Sequence, residues 1–213
     1  MKLLPVGRDA VLIEVASPEE AVSLAAWARE RRLARDVVPG AETVLLDGLL
    51  DGLLDGLLDD EHHAHRTELS RLLTSWSPTA GKPGPEVEIV VTYDGPDLEG
   101  VAEHWRCDPR DVAARHQATL FVAAFCGFAP GFAYLSGLPE ELPDVPRLDT
   151  PRTRVPAGSV GIAARWCGLY PTESPGGWRI IGRTDADLWD PTREQPALLA
   201  PGARVRFREA PSR

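Results

Sequence analysis

The sequence predicts an α+β chain in two parts. Three observations carry that reading. Residues 10–46 pass from a strand pattern to a capped helix and back to a strand; a Pro/Gly-rich run from Ser77 to Pro85 interrupts the chain; and short apolar segments separated by Gly and Pro then continue to Phe207. The first part spans residues 1–80, the linker 81–85 and the second part 86–213. Many short strands at such spacing are expected to form a β-barrel or sandwich.

Taken in order, Ala10 to Val15 reads as a strand. Ser17 then caps a helix, with Pro18 fitting its first turn and Glu20 completing a capping box. Ala21, Leu24, Ala25 and Ala28 recur at helical spacing and give this helix one apolar face. A strand is expected from Thr43 to Leu46, after the turn at Pro39-Gly40. From Leu45 to Asp60 the unit Leu-Leu-Asp-Gly repeats in tandem. Its glycines and its aspartates four apart make a poor helix, and the acidic spacing does not fit a calcium loop. A lengthened helix or loop is expected there. His62, His63 and His65 stand without a cysteine or a second cluster nearby, so a solvated helix start is expected and no metal site. Leu69, Leu72, Leu73 and Trp76 carry that helix to the linker.

In the second part, Val87 to Tyr93 alternates as a strand, and Leu98, Val101, Ala102 and Trp105 mark a short helix. Asp108 caps another, with Pro109 in its first turn and its end near His116. Leu120 to Cys126 is so continuously apolar that it is expected to be a strand buried on both faces.

Composition removes several classes of function. Acidic residues outnumber basic ones by 32 to 23, a net charge of -9, and such a field repels phosphate backbones, so nucleic-acid binding is not expected. No apolar run approaches the roughly 18 residues of a membrane span, and Leu3-Leu4-Pro5 is too short for a signal peptide. A cytoplasmic location is expected. The three cysteines, Cys107, Cys126 and Cys167, form no CxxC pair and read as reduced core residues.

Three segments stand out for chemistry: Gly127-Phe128-Ala129-Pro130-Gly131-Phe132-Ala133-Tyr134-Leu135, Pro151 to Ile162, and Ser174 to Thr184. In the first, glycines and a proline alternate with rings, and in the third Gly176-Gly177 precedes Trp178. Such segments supply either walls and backbone N–H groups for a small polar ligand or tight corners with rings in the core. In the second, Arg152 and Arg154 are two apart between prolines, so both guanidinium groups are expected on one strand face, where their planar forks suit a carboxylate or phosphate. The alternative is two surface arginines paired with acidic residues. His116, at a helix–strand junction, suits an acid, a base or a carbonyl donor, or else only a helix-end donor. Ser159 lacks a Gly-x-Ser-x-Gly elbow and is not expected to be a nucleophile. No phosphate-cradling Gly-rich loop is present, so a nucleotide site must be of another kind or shared with a partner.

In order and nearly residue for residue, the three segments resemble the KipI family, also called the 5-oxoprolinase B subunit or allophanate hydrolase subunit 1. The resemblance is dense from His116 to Phe207. It implies a small N-terminal α/β (ferredoxin-like) domain followed by a cyclophilin-like β-barrel. It also implies a role as the B subunit of an ATP-dependent 5-oxoprolinase, inactive alone, acting with a KipA-like C subunit and a LamB/YcsF-like A subunit. ATP, with Mg, would be the co-substrate. Candidate catalytic residues are then His116, Arg152 and Arg154. Candidate substrate-binding residues are Gly127, Phe128, Pro130, Gly131, Phe132 and Tyr134 from the first segment, Ser159 from the second, and Gly176, Gly177 and Trp178 from the third. The same family allows two other roles: a regulatory protein inhibiting a sensor histidine kinase, and a urea or allophanate amidolyase module.

Overall fold

The computed structural model describes residues 1–49, 68–78 and 84–211. The chain divides into two compact units, Met1–Lys82 and Pro83–Arg213. The His62, His63 and His65 cluster, and most of the Leu-Leu-Asp-Gly repeat, lie outside the described residues.

The first unit contains β1 (Lys2–Val6), β2 (Ala10–Glu14), α1 (Pro18–Glu30), β3 (Ala34–Pro39), β4 (Thr43–Leu49) and α2 (Glu68–Thr74). Its strands form a four-stranded antiparallel sheet in the order β1-β2-β4-β3. α1 starts where the local chemistry says it should: the Ser17 hydroxyl accepts from the Glu20 N–H at 3.2 Å. The Glu20 carboxylate reaches back to the Ala16 N–H at 2.9 Å, one residue before the cap. Val11, Ile13, Val44 and Leu46 meet Ala21, Leu24, Ala25 and Ala28 of α1, and Leu69, Leu73 and Trp76 join the same core. Each fully buried leucine here contributes about 1.5–3 kcal/mol. The start of the tandem repeat is neither helix nor loop. Leu45 to Leu49 belong to β4, where Gly48 takes φ +65 and Leu49 is buried opposite Ala34.

The second unit contains β5 (Glu86–Val91), α3 (Leu98–Trp105), α4 (Pro109–Ala118), β6 (Phe121–Cys126), β7 (Ala133–Ser136), β8 (Arg152–Val155), β9 (Ser159–Ala163), β10 (Trp166–Leu169), β11 (Ser174–Gly176), β12 (Arg179–Arg183) and β13 (Arg204–Glu209). Seven strands form one sheet in the order β12-β9-β10-β7-β6-β13-β5. Only β13 and β5 pair in parallel. The two ends of this sheet meet through a bridge between Thr92 and Arg183, N–H to O at 2.8 and 2.9 Å, which nearly closes it into a barrel. Gly182 permits the closure, since a Cβ there would lie 2.5 Å from the Thr92 carbonyl oxygen.

Alternation along the strands sorts the side chains into two clusters. Ile89, Val91, Phe121, Ala123, Leu135, Ile162, Cys167, Ile181, Val205 and Phe207 fill the interior, joined by Val101 and Trp105 of α3 and Val112 of α4. Residues between them point the other way. Phe132, Val155, Ala163, Tyr170, Trp178 and Ile180 form a second cluster, beside the two-stranded ribbon of β8 and β11. β6 falls short of the burial on both faces that its composition predicts: Phe121 and Ala123 are buried inside, while Val122, Phe125 and Cys126 are half-buried and Phe125 stacks on Tyr134 at 4.3 Å. Among the described residues no helix is long and apolar enough to cross a membrane.

Candidate functional site

The residues singled out in the sequence lie on both sides of the barrel wall. His116 is inside. α4 ends just beyond it, and its ring packs 4.2 Å from the Phe207 ring and 5.0 Å from that of Phe121. Nδ1 lies 2.8 Å from the Tyr93 hydroxyl and Nε2 lies 3.2 Å from Cys167 Sγ. Complete burial lowers its pKa from 6.5 to about 3, so the imidazole is neutral. Burial also pushes the Tyr93 hydroxyl and the Cys167 thiol upward. The helix-end position expected of His116 is correct, but a solvent-facing acid or base it is not, because the ring has no exposed surface.

The rings of the first and third segments meet on the outer face. Phe132 lies 5.0 Å from Tyr134, 5.3 Å from Tyr170 and 5.5 Å from Trp178, all edge to face, the arrangement aromatic quadrupoles favour. Their floor is Gly168 of β10, where a Cβ would come within 2.8 Å of Phe132 and 2.9 Å of Trp178. The turn holding Phe132 closes on itself: Gly127 N–H donates to Phe132 O at 3.2 Å and Phe132 N–H to Ala129 O at 3.0 Å. Pro130 lies in this turn, and Gly131, at φ +84, lets it approach Trp189 and Leu188. Phe128 is the outlier. It takes φ +71, a region costly for a residue with a Cβ, and is 59% exposed, its ring beside those of Phe132 and Tyr170.

Ser159 is buried at the start of β9 and serves through its backbone, its carbonyl accepting from the Tyr170 N–H at 2.9 Å. Gly176 lies opposite Arg152 in the β11–β8 ribbon, and any Cβ there would run into the Tyr170 hydroxyl. Gly177 offers its carbonyl to the Leu148 N–H at 2.8 Å.

The two arginines part company. Arg152 Nη2 donates to Asp97 Oδ1 at 2.8 Å, with 29% of its side chain exposed and 8% of that of Asp97. The other carboxylate oxygen of Asp97 accepts from the Ile180 N–H at 2.7 Å. Nη1 of Arg152 is buried and has no partner in the protein. Arg154, three-quarters exposed, pairs with Glu173 at 2.6 Å. The expected common anion between two guanidinium groups is therefore replaced by two separate carboxylates.

Chemically, the outer layer is a buried ring cluster with Phe128 exposed at its edge, and the Tyr170 hydroxyl lies against Gly176, the strand partner of Arg152. The Tyr170 hydroxyl is pushed up by burial, an effect opposed by Arg147, the Trp178 N–H and Arg152. Sequence reasoning missed Asp97, Tyr170 and Gly168. Tyr170 carried a signal, a lone tyrosine between two of the motifs; Asp97 did not, since its partner is 55 residues away.

The family model described as "Carboxyltransferase domain, subdomain C and D" matches residues 1–199. The chain belongs to that family. Within it, the chain is 39% identical over 208 residues to the 5-oxoprolinase B subunit of Escherichia coli O157:H7, covering 95% of this chain and 93% of that protein. It is 36% identical over 215 residues to the protein of the same name from Haemophilus influenzae, covering 97% of each. Among solved structures, TTHA0988 shares 34% identity and a TM-score of 0.74 over 96% of this chain. The chain spans only 41% of that protein. This carboxyltransferase-domain chain therefore has relatives that it matches over nearly their whole length and a longer protein that contains its fold in part of the chain.

Proposed function

We propose that this chain is the B subunit of an ATP-dependent 5-oxoprolinase that opens 5-oxo-L-proline to L-glutamate. The observation that carries the reading is the outer-face cluster, where Phe132 and Trp178 lie over Gly168, Tyr134 pairs with Gly168 across the sheet, and Val155 of the strand that carries Arg152 joins them. Proteins named for that activity match nearly the whole chain.

A lactam amide is resonance-stabilised, and ATP supplies the phosphoryl group that activates its oxygen. In this reading the rings keep water from the activated amide, and Arg152 turns its unpartnered Nη1 to an anionic group of the substrate. His116 holds the barrel interior rather than the substrate. Arg154 lies at the rim. One guanidinium donor is too few for a triphosphate, and among the described residues no group of His, Cys, Asp and Glu side chains gathers to hold a metal ion. Nucleotide and Mg are accordingly assigned to a site shared with the KipA-like and LamB/YcsF-like partners. The longer TTHA0988 chain supports a need for additional protein. A cytoplasmic location goes with this reading.

The test is ATP-dependent glutamate release from 5-oxoproline by the chain alone and by the chain with both partners. The expected result is release only by the assembly. No release by the assembly, or full release by the chain alone, would refute the proposal or its division of labour respectively.

A further inference from the structure

We propose that Phe128 is the gate of a binding slot in the outer layer: rotation within the strained turn at residues 127–129 lifts its ring off Phe132 and Tyr170, and a small flat ring such as a lactam takes the place it leaves. The inference rests on the 5-oxoprolinase reading only for which lactam that is.

Phe128 is held at the centre of a three-residue turn. The Ala129 N–H donates to the Gly127 carbonyl at 2.8 Å, two residues back, and Phe128 between them has φ +71. This is the positive-φ form of the γ-turn, the rarer and more strained of its two forms. Glycine would hold that conformation without the steric cost, and a glycine stands one residue away. Gly127, however, has no need in this turn to be glycine. Its φ lies outside the left-handed region, and beyond its chain neighbours a Cβ there would meet no atom within 4 Å. The closed turn alone would favour the two residues in the opposite order. The order found is explained if the ring is set down in one state and the backbone beside it rotates to reach another.

The ring is placed to open a site when it moves. Phe128 is more than half exposed, while Phe132 and Tyr170, which it covers, are buried. Its centroid lies 5.3 Å from that of Phe132 and 6.2 Å from that of Tyr170. The rest of the motif is pinned: the Gly127 N–H donates to Phe132 O, the Phe132 N–H donates to Ala129 O, and Gly131 lies against Leu188 and Trp189. That leaves the γ-turn's own hydrogen bond as the one to be given up.

What the ring leaves behind chooses the ligand. The space holds a phenyl ring standing across those of Phe132 and Tyr170, at 71° and 82°, with its other side open to solvent. A flat ring of five or six atoms fits there, whereas a phosphoryl group has no face to set against aromatic rings.

The experiment uses the full chain with 2-pyrrolidinone, a plain five-membered lactam, and with 5-oxoproline in parallel. Relaxation dispersion in nuclear magnetic resonance should show exchange at the Ala129 N–H in wild type, and less of it in Gly127→Ala, a substitution for which the closed turn has room. Phe128→Gly removes the gate and should bind 2-pyrrolidinone about three- to tenfold more tightly than wild type, whose closed form must open first. Gly127→Ala should bind it about threefold more weakly. If Phe128→Gly fails to fold, Phe128→Ala, which removes the ring and keeps the Cβ, decides in its place. A static Ala129 N–H, a ring-deleted variant that binds no more tightly than wild type, or no binding of 2-pyrrolidinone by any of these chains overturns the gate. If the order of affinities holds for 2-pyrrolidinone but 5-oxoproline binds neither the chain nor its assembly with the partners, the gate stands and the 5-oxoprolinase reading falls. If the order fails while that assembly still releases glutamate from 5-oxoproline, the reading stands and the gate falls.

Discussion

Cys167 and Gly168, neighbours in β10, face opposite ways through the barrel wall. Cys167 meets His116 inside at 3.2 Å, while Gly168 lies beneath Phe132 and Trp178 outside. One peptide unit thus separates a sealed polar contact from the ring platform. His116 and Trp178 belong to different layers, although the sequence motifs place them in one block.

Gly168→Ala tests the platform. A Cβ 2.8 Å from one ring and 2.9 Å from another forces both rings to move. Overpacking of this kind costs about 1–3 kcal/mol. Urea denaturation should show that loss, and the near-ultraviolet circular dichroism of the rings should change with it. A native spectrum with unchanged stability would mean that the rings are not packed on β10.

His116 should make the fold acid-sensitive. The folded chain keeps this ring neutral down to about pH 3, whereas the unfolded chain protonates it near 6.5. Between those values the unfolded state binds a proton that the folded state refuses. Stability from this group is therefore complete above 6.5 and falls as pH drops toward 3, by up to about 1.4 kcal/mol per pH unit. Tyr93 and Cys167, which face the ring, stay neutral throughout because burial raises both. Urea midpoints from about pH 7.5 to about pH 4 should fall more steeply for wild type than for His116→Leu. Parallel curves would contradict a buried neutral imidazole.

The parts legible in the sequence are those fixed by near neighbours. Ser17 and Asp108 announce their helices because each cap bonds to an amide two or three residues on. Alternating burial in β5 and continuous apolarity in β6 are equally plain. β1 and β3 carry no such signal: Pro5 and Pro39 argue against strands, and Arg35-Asp36 breaks the apolar pattern, yet both run at the sheet edges where proline and charge are tolerated. At the site, the ring-bearing motifs are legible as a set. Which side of the wall receives His116, and which carboxylate receives Arg152, depends on partners 51 and 55 residues away.

Leu49→Ala tests the strand reading of the repeat's beginning. Leu49 is buried, and its N–H donates to Asp9 O at 2.8 Å. Truncating it should cost about 2–4 kcal/mol, as for other core leucines. Val38→Ala, on the exposed face of β3, should change stability by less than about 1 kcal/mol. Equal melting temperatures for the two variants would show that β4 ends before Leu49.

The arginine pair separates most cleanly through its carboxylates. Asp97→Ala leaves Arg152 charged and half-buried without its partner and also orphans the Ile180 N–H, so a loss of about 3–5 kcal/mol is expected. Arg154→Ala breaks only an exposed pair with Glu173 and should cost less than about 1 kcal/mol. Turnover by the assembled enzyme should follow the same division. Arg152→Lys keeps a charge but loses the planar fork that holds Asp97 with one nitrogen and keeps the other buried beside it, and activity should drop by about ten- to a thousandfold. Arg154→Lys should leave turnover within about twofold of wild type. Melting temperatures on the same samples distinguish lost chemistry from lost fold. If Arg154→Lys lowers turnover as far as Arg152→Lys does, at unchanged stability, the two guanidinium groups converge on one anion during the reaction and Glu173 is displaced from Arg154 when they do.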